Sequence, residues 1–129
     1  MGGNGNLDLI RGVYDSFGRG DVPGVLGSMS DDIDWHVPAE LPHGMDAHGP
    51  DEVGGFFQQL AGKWDGLTVD IEDMVDGGDR VIALTDIHGK FGDLDTHYRA
   101  AHVWTVRDGK AVRFDEYVDQ PKELLDADR

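Results

Sequence analysis

The chain has 129 residues, no cysteine and a formal net charge of −15. That length suits one domain around a single core, and the missing cysteine excludes a disulfide framework, a thiolate metal site and a cysteine nucleophile. An excess of 26 Asp and Glu over 11 Lys and Arg argues against nucleic acid and membrane surfaces as partners, because both are recognised through basic patches. No apolar run approaches a membrane span. The leading MGGNGN has neither the basic nor the apolar part of a secretory signal, so the expected location is cytoplasmic.

In chain order, Asn6 is placed to cap a helix running to about Phe17, with Leu9, Ile10, Val13, Tyr14 and Phe17 as its apolar stripe. Gly18 and Gly20 end it. Asp21 can cap a shorter helix with Pro23 in its first turn and Val22, Val25, Leu26 and Met29 inward. A strand follows, roughly Ile33 to Val37, stopped by Pro38. Residues 38–49 read as an irregular loop, of a length that often serves as a lid or binding loop. Pro50, Asp51 and Glu52 open a third helix whose stripe is Val53, Phe56, Phe57, Leu60 and Trp64. Leu67 to Val75 alternates as a strand, and Val81 to about Phe91 forms the next. Arg99 to Asp119 reads as two strands around Arg107-Asp108-Gly109. Pro121 to Asp126 suits a short terminal helix. No repeat or linker divides the chain, so one domain is expected, with three helices covering one face of a mostly antiparallel sheet.

The last strand carries the chemistry. Val112, Phe114, Glu116 and Val118 share one face by alternation. A carboxylate on an apolar face is costly unless it is paired, hydrogen-bonded or put to use. What Glu116 meets depends on the turn. A three-residue loop with Gly109 as a left-handed bulge pairs Val106 with Lys110 and sets His102, Trp104 and Glu116 on one surface. A two-residue turn pairs Arg107 with Lys110 and sends His102 to the other face. The bulged turn is the favoured reading, and with it a Glu116–His102 pair able to move a proton. On the first strand, alternation points Ile33, Trp35 and Val37 inward and leaves Asp34 and His36 outward.

Several stretches together resemble the NTF2-like superfamily, and within it the SnoaL-like polyketide cyclase group. They are Asp31-Asp32-Ile33-Asp34-Trp35-His36-Val37-Pro38, His48-Gly49-Pro50-Asp51-Glu52-Val53, Gly78-Asp79-Arg80-Val81, Ala101-His102-Val103-Trp104-Thr105-Val106 and Arg113-Phe114-Asp115-Glu116-Tyr117-Val118-Asp119. The resemblance implies an α+β fold, an NTF2-like cone in which a curved, mostly antiparallel sheet and three covering helices enclose a pocket. It also implies a homodimer through the outer sheet face. Carried over position by position, it gives His36 the place of the isomerases' base, His102 that of their oxyanion-binding acid, and Glu116 that of the aspartate of epoxide hydrolases and cyclases. It thereby turns His36 and Asp34 toward the pocket, against the alternation.

The resemblance also has gaps. The isomerases' helix-1 tyrosine falls nearest Val13, beside Tyr14. The epoxide hydrolases' third-strand Arg and Asp fall near Thr85 and Ile87. A cyclase-type or binding role therefore fits better than either of those activities.

The expected function is binding of a small hydrophobic ligand with cofactor-independent acid/base catalysis. Glu116, His102 and His36 would be the catalytic groups. Trp104, Phe57, Trp64, Phe114, Asp34, His88 and Trp35 would form the substrate-binding surface. A non-catalytic ligand-binding or scaffold protein is the alternative, and an epoxide hydrolase a weaker one. His36, His43, His48 and His88 show no helical i, i+4 spacing and no ligand motif, so no metal and no cofactor are expected.

Overall fold

The computed structural model describes residues 2–39, 41 and 43–118. The terminal helix expected at Pro121–Asp126 lies outside the described residues. The elements run α1 (Gly2–Gly18), α2 (Val22–Leu26), β1 (Met29–Val37), β2 (Met45–His48), α3 (Gly49–Lys63), β3 (Trp64–Asp76), β4 (Arg80–Phe91), β5 (Leu94–Arg107) and β6 (Lys110–Val118). The strands form one sheet in the order β2-β1-β6-β5-β4-β3, antiparallel except where β1 runs parallel to β6. This is the α+β architecture of curved sheet and three helices.

Local chemistry accounts for most boundaries. The Asp21 carboxylate accepts a hydrogen bond from Gly24 N at 3.0 Å and caps α2. The Glu52 carboxylate accepts from His48 N at 2.8 Å and closes the start of α3. Asn6 is not a cap. α1 begins at Gly2, and the Asn6 amide instead donates to the Gly78 carbonyl at 2.7 Å. The supposed loop 38–49 contains a short edge strand, β2, whose pairing with β1 no alternation pattern announced. Trp64 is buried as the first residue of β3 rather than as part of the α3 stripe.

Bulges bend the sheet. Gly66 and Leu67 together oppose Gly89, and Glu72 is an extra residue between the Ile71↔Thr85 and Asp73↔Leu84 pairs. The concave side buries Trp35, Trp104 and Phe114 against Val53, Phe56, Phe57 and Leu60 of α3 and Ile10 and Val13 of α1.

The β5–β6 hairpin corrects the expected turn. Arg107 pairs with Lys110, and Asp108 and Gly109 both take positive φ, 53° and 75°. This is the two-residue turn whose twist suits a hairpin. The extra residue sits one step further along: Val112 bulges between the Val106↔Ala111 and Thr105↔Arg113 pairs. The bulge shifts the alternation, so Ala111 and Phe114 are buried. It also brings Glu116 directly opposite His102. The two groups share a face for a different reason from the one the turn chemistry suggested.

Candidate active site

An apolar cavity of about 70 Å³ lies on the concave side of the sheet. Its walls include Trp35, Phe56, Phe57, Trp104 and Phe114, and the polar side chains on it include Tyr14, His43, Tyr98, His102 and Glu116. The space is far below the roughly 300–1,000 Å³ of drug-sized ligand sites, so it suits a compact occupant.

Four side chains form a continuous hydrogen-bonded line at its edge. His102 Nε2 lies 2.9 Å from Glu116 Oε2. His102 Nδ1 lies 2.6 Å from the Tyr14 hydroxyl. Trp104 Nε1 donates to that hydroxyl at 3.0 Å. One assignment gives each donor one acceptor: Trp104 N–H to Tyr14 O, Tyr14 O–H to His102 Nδ1, and His102 Nε2–H to a Glu116 carboxylate. Burial pushes the Tyr14 pKa far up, which keeps the hydroxyl protonated and able to donate; the Trp104 hydrogen bond opposes this and the Glu116 charge adds to it. The side chains of His102 and Glu116 are 8% and 6% exposed. A buried carboxylate in contact with one oriented imidazole is chemically a proton acceptor with a fixed partner.

The structure brings together only some of the expected residues. Glu116, His102, Trp104, Phe57, Phe114 and Trp35 all line the cavity. Trp64 stands one layer back, its indole N–H donating to His43 Nδ1 at 3.2 Å. His36 and Asp34 face the other way, as hydrophobic alternation had it and contrary to the resemblance. His36 Nδ1 pairs with Asp46 at 2.8 Å, and Asp34 pairs with His48 Nδ1 at 2.9 Å. Burying Trp35 between Phe114 and Phe56 fixes that choice, since neighbouring residues on a strand point to opposite faces. His88 is also outside, paired with Asp70 at 3.0 Å. Of the two third-strand positions in the comparison with epoxide hydrolases, Ile87 lines the cavity and Thr85 donates to the Ala100 carbonyl at 2.8 Å. Among the described residues, no group of three or more His, Asp and Glu side chains is placed to hold a metal ion.

Tyr14 is the group that sequence reasoning passed over. It looked like one more apolar position of the α1 stripe, and its partner His102 is 88 residues away. Its place next to the isomerases' tyrosine position was the available signal. His43, read only as a loop histidine, also reaches the cavity. Its loop is tightly wound: a Cβ on Gly44 would lie 1.8 Å from the Pro38 carbonyl oxygen, so only glycine fits there.

Known proteins bear on this geometry. Residues 10–114 match the model of the SnoaL-like domain. An uncharacterised protein of Mycobacterium tuberculosis is 28% identical over 123 residues, 94% of each chain. An NTF2-like protein from Burkholderia thailandensis superposes with a TM-score of 0.85 at 27% identity, over 94% of both chains. A protein assigned to the polyketide cyclases, from Xanthomonas campestris, shares the fold at 20% identity and a TM-score of 0.81, over 96% of this chain and 97% of its own. With the match spanning most of its length and the same curved sheet beneath it, the chain belongs to the SnoaL-like family of the NTF2-like fold.

Proposed function

We propose that the protein binds a compact hydrophobic carbonyl compound and moves a proton on it without a cofactor, in a reaction of cyclase or isomerase type. The observation that carries this reading is the buried Glu116–His102–Tyr14 line at the edge of an apolar cavity. Glu116 is the base. Its carboxylate takes a proton from a carbon next to the carbonyl, and the electron pair moves onto the carbonyl oxygen. Return of that proton to a second carbon completes an isomerisation. Attack of the enolate carbon on another carbonyl, with the proton delivered to the new alkoxide, completes a ring closure. His102 positions Glu116 through its Nε2–H, and Tyr14 holds the imidazole in the tautomer this requires.

The test is exchange of the α-protons of cyclohexanone in deuterated water, followed by proton NMR. The native protein should accelerate exchange. Glu116→Gln should lose about 10²–10⁴-fold of that acceleration, and Tyr14→Phe a smaller part. Equal exchange with and without Glu116 removes it from the mechanism.

A non-catalytic ligand-binding protein is the second reading, favoured by the fact that Tyr14, His102 and Trp104 already satisfy one another. It predicts binding of cyclohexanone without exchange. In either case we propose a cytoplasmic homodimer joined through the outer sheet face. Leu84, Ala101 and Tyr117 lie in register across β4, β5 and β6 on that face, and Tyr117 is 62% exposed.

A further inference from the structure

We propose that His43 is a substrate-binding residue, a neutral imidazole that donates a hydrogen bond from Nε2 to a carbonyl oxygen of the ligand. The proposal rests on the reading that the cavity takes a ligand, and it adds what recognises that ligand.

The inference starts from Trp64. An indole N–H can only donate, so the Trp64 Nε1 contact at 3.2 Å requires a lone pair on His43 Nδ1. A neutral ring with a lone pair on Nδ1 carries its proton on Nε2. Trp64 is not a cavity wall, whereas His43 is. The contact therefore anchors the Nδ1 edge in the layer behind and leaves the Nε2 edge to the cavity side. Edge-to-face packing on Trp64 at 5.6 Å and a tilted contact with Phe56 at 6.2 Å hold the ring plane.

The surroundings favour the neutral form. Burial pushes the His43 pKa below its ordinary value, and Lys63 adds to that, against the pull of Glu116. A fixed, uncharged N–H in an apolar wall is suited to an oxygen acceptor, and adding no full charge keeps the cost of burial small.

The loop is built around this placement. Leu41 N donates to the Pro38 carbonyl at 3.1 Å and Gly44 N to the Leu41 carbonyl at 3.0 Å, which ties down the backbone at Leu41 and Gly44 on either side of His43. The close approach of Gly44 to Pro38 leaves no room for any larger residue immediately after His43. With Glu116 as the base, a donor on the carbonyl oxygen is also where negative charge develops as the α-proton leaves. His43 would then act on the oxygen while Glu116 acts on the carbon.

The experiment has two readouts. In ¹⁵N-labelled native protein, long-range ¹⁵N–¹H correlations at neutral pH should put the His43 proton on Nε2; a proton on Nδ1 overturns the proposal. Binding of cyclohexanone is then compared with that of methylenecyclohexane, which has the same shape without the oxygen. The ketone-to-methylenecyclohexane affinity ratio, the preference read here, should be about tenfold higher for the native protein than for a variant lacking the donor. His43→Leu should lose that preference while still binding methylenecyclohexane, and His43→Gln, which keeps an N–H, should retain part of it. Trp64→Phe, which frees Nδ1, should weaken the preference without altering a cavity wall. A preference unchanged in His43→Leu overturns the proposal and leaves the cavity reading intact. Failure of both probes to bind the native protein overturns the cavity reading, and the proposal with it.

Discussion

The two faces of one sheet put imidazole–carboxylate pairs to opposite uses. The concave face holds His102–Glu116, almost wholly buried and continued by Tyr14. The convex face carries His36–Asp46, His48–Asp34, His88–Asp70 and His97–Asp86, all half-exposed or exposed. The chemical groups are nearly the same, but water screens the outer pairs and competes for their hydrogen bonds, so each contributes little. Away from water, the inner pair must satisfy itself, and removing either member strands the other.

The contrast breaks most directly by deleting one imidazole from each face. His102→Ala leaves a buried carboxylate and a buried hydroxyl without their partner, and should lower unfolding free energy by about 3–5 kcal/mol. His97→Ala should change it by no more than about 0.5 kcal/mol. Urea denaturation of the two variants checks this, and equal losses would erase the distinction between the faces.

A smaller effect sharpens the role of the outer face. If two copies meet there, a charge placed in the apolar row at Leu84→Lys should weaken dimerisation by about 1–3 kcal/mol with little effect on the fold. Sedimentation velocity across a concentration series reads this, and a monomeric native protein would retire the dimer.

The smallest effect is the pH dependence of stability, and here the two faces should have opposite signs. Burial lowers the folded-state pKa of His43, so below the ordinary value of 6.5 the unfolded chain takes up the proton first. Stability is therefore lost as pH falls below 6.5 toward the folded value. The hydrogen bond to Asp34 raises the pKa of His48, so its contribution is fully present below 6.5 and is lost as pH rises through the folded value. His43→Phe should flatten the acid-side slope and His48→Asn the neutral-side one, measured as urea midpoints between about pH 5 and 8. A shared sign would contradict the burial of His43.

Much of this was legible along the chain. The helices α2 and α3, the long strands and the inward set Ile33, Trp35 and Val37 follow from capping chemistry and alternation, which are local. Alternation also decided His36 correctly, where the resemblance pointed the wrong way, because the aromatic surface of Trp35 has more to gain from burial than the imidazole. The turn after Arg107 was misread because a bulge at Val112 leaves no mark in the sequence. A Val in that place looks like any strand residue.

By itself the sequence determined an acidic composition, the family, the helices and strands that carry the core, and Glu116 as the costly group on an apolar face. Only the tertiary structure decided what meets Glu116. The Val112 bulge sets it opposite His102, α1 brings Tyr14 from the far end of the chain, and the wound 38–44 loop delivers His43 with Trp64 behind it. The division follows from range. Periodicity and capping report on residues a few positions apart, whereas a buried polar line joins groups far apart in the chain that the folded core brings within hydrogen-bonding reach of one another.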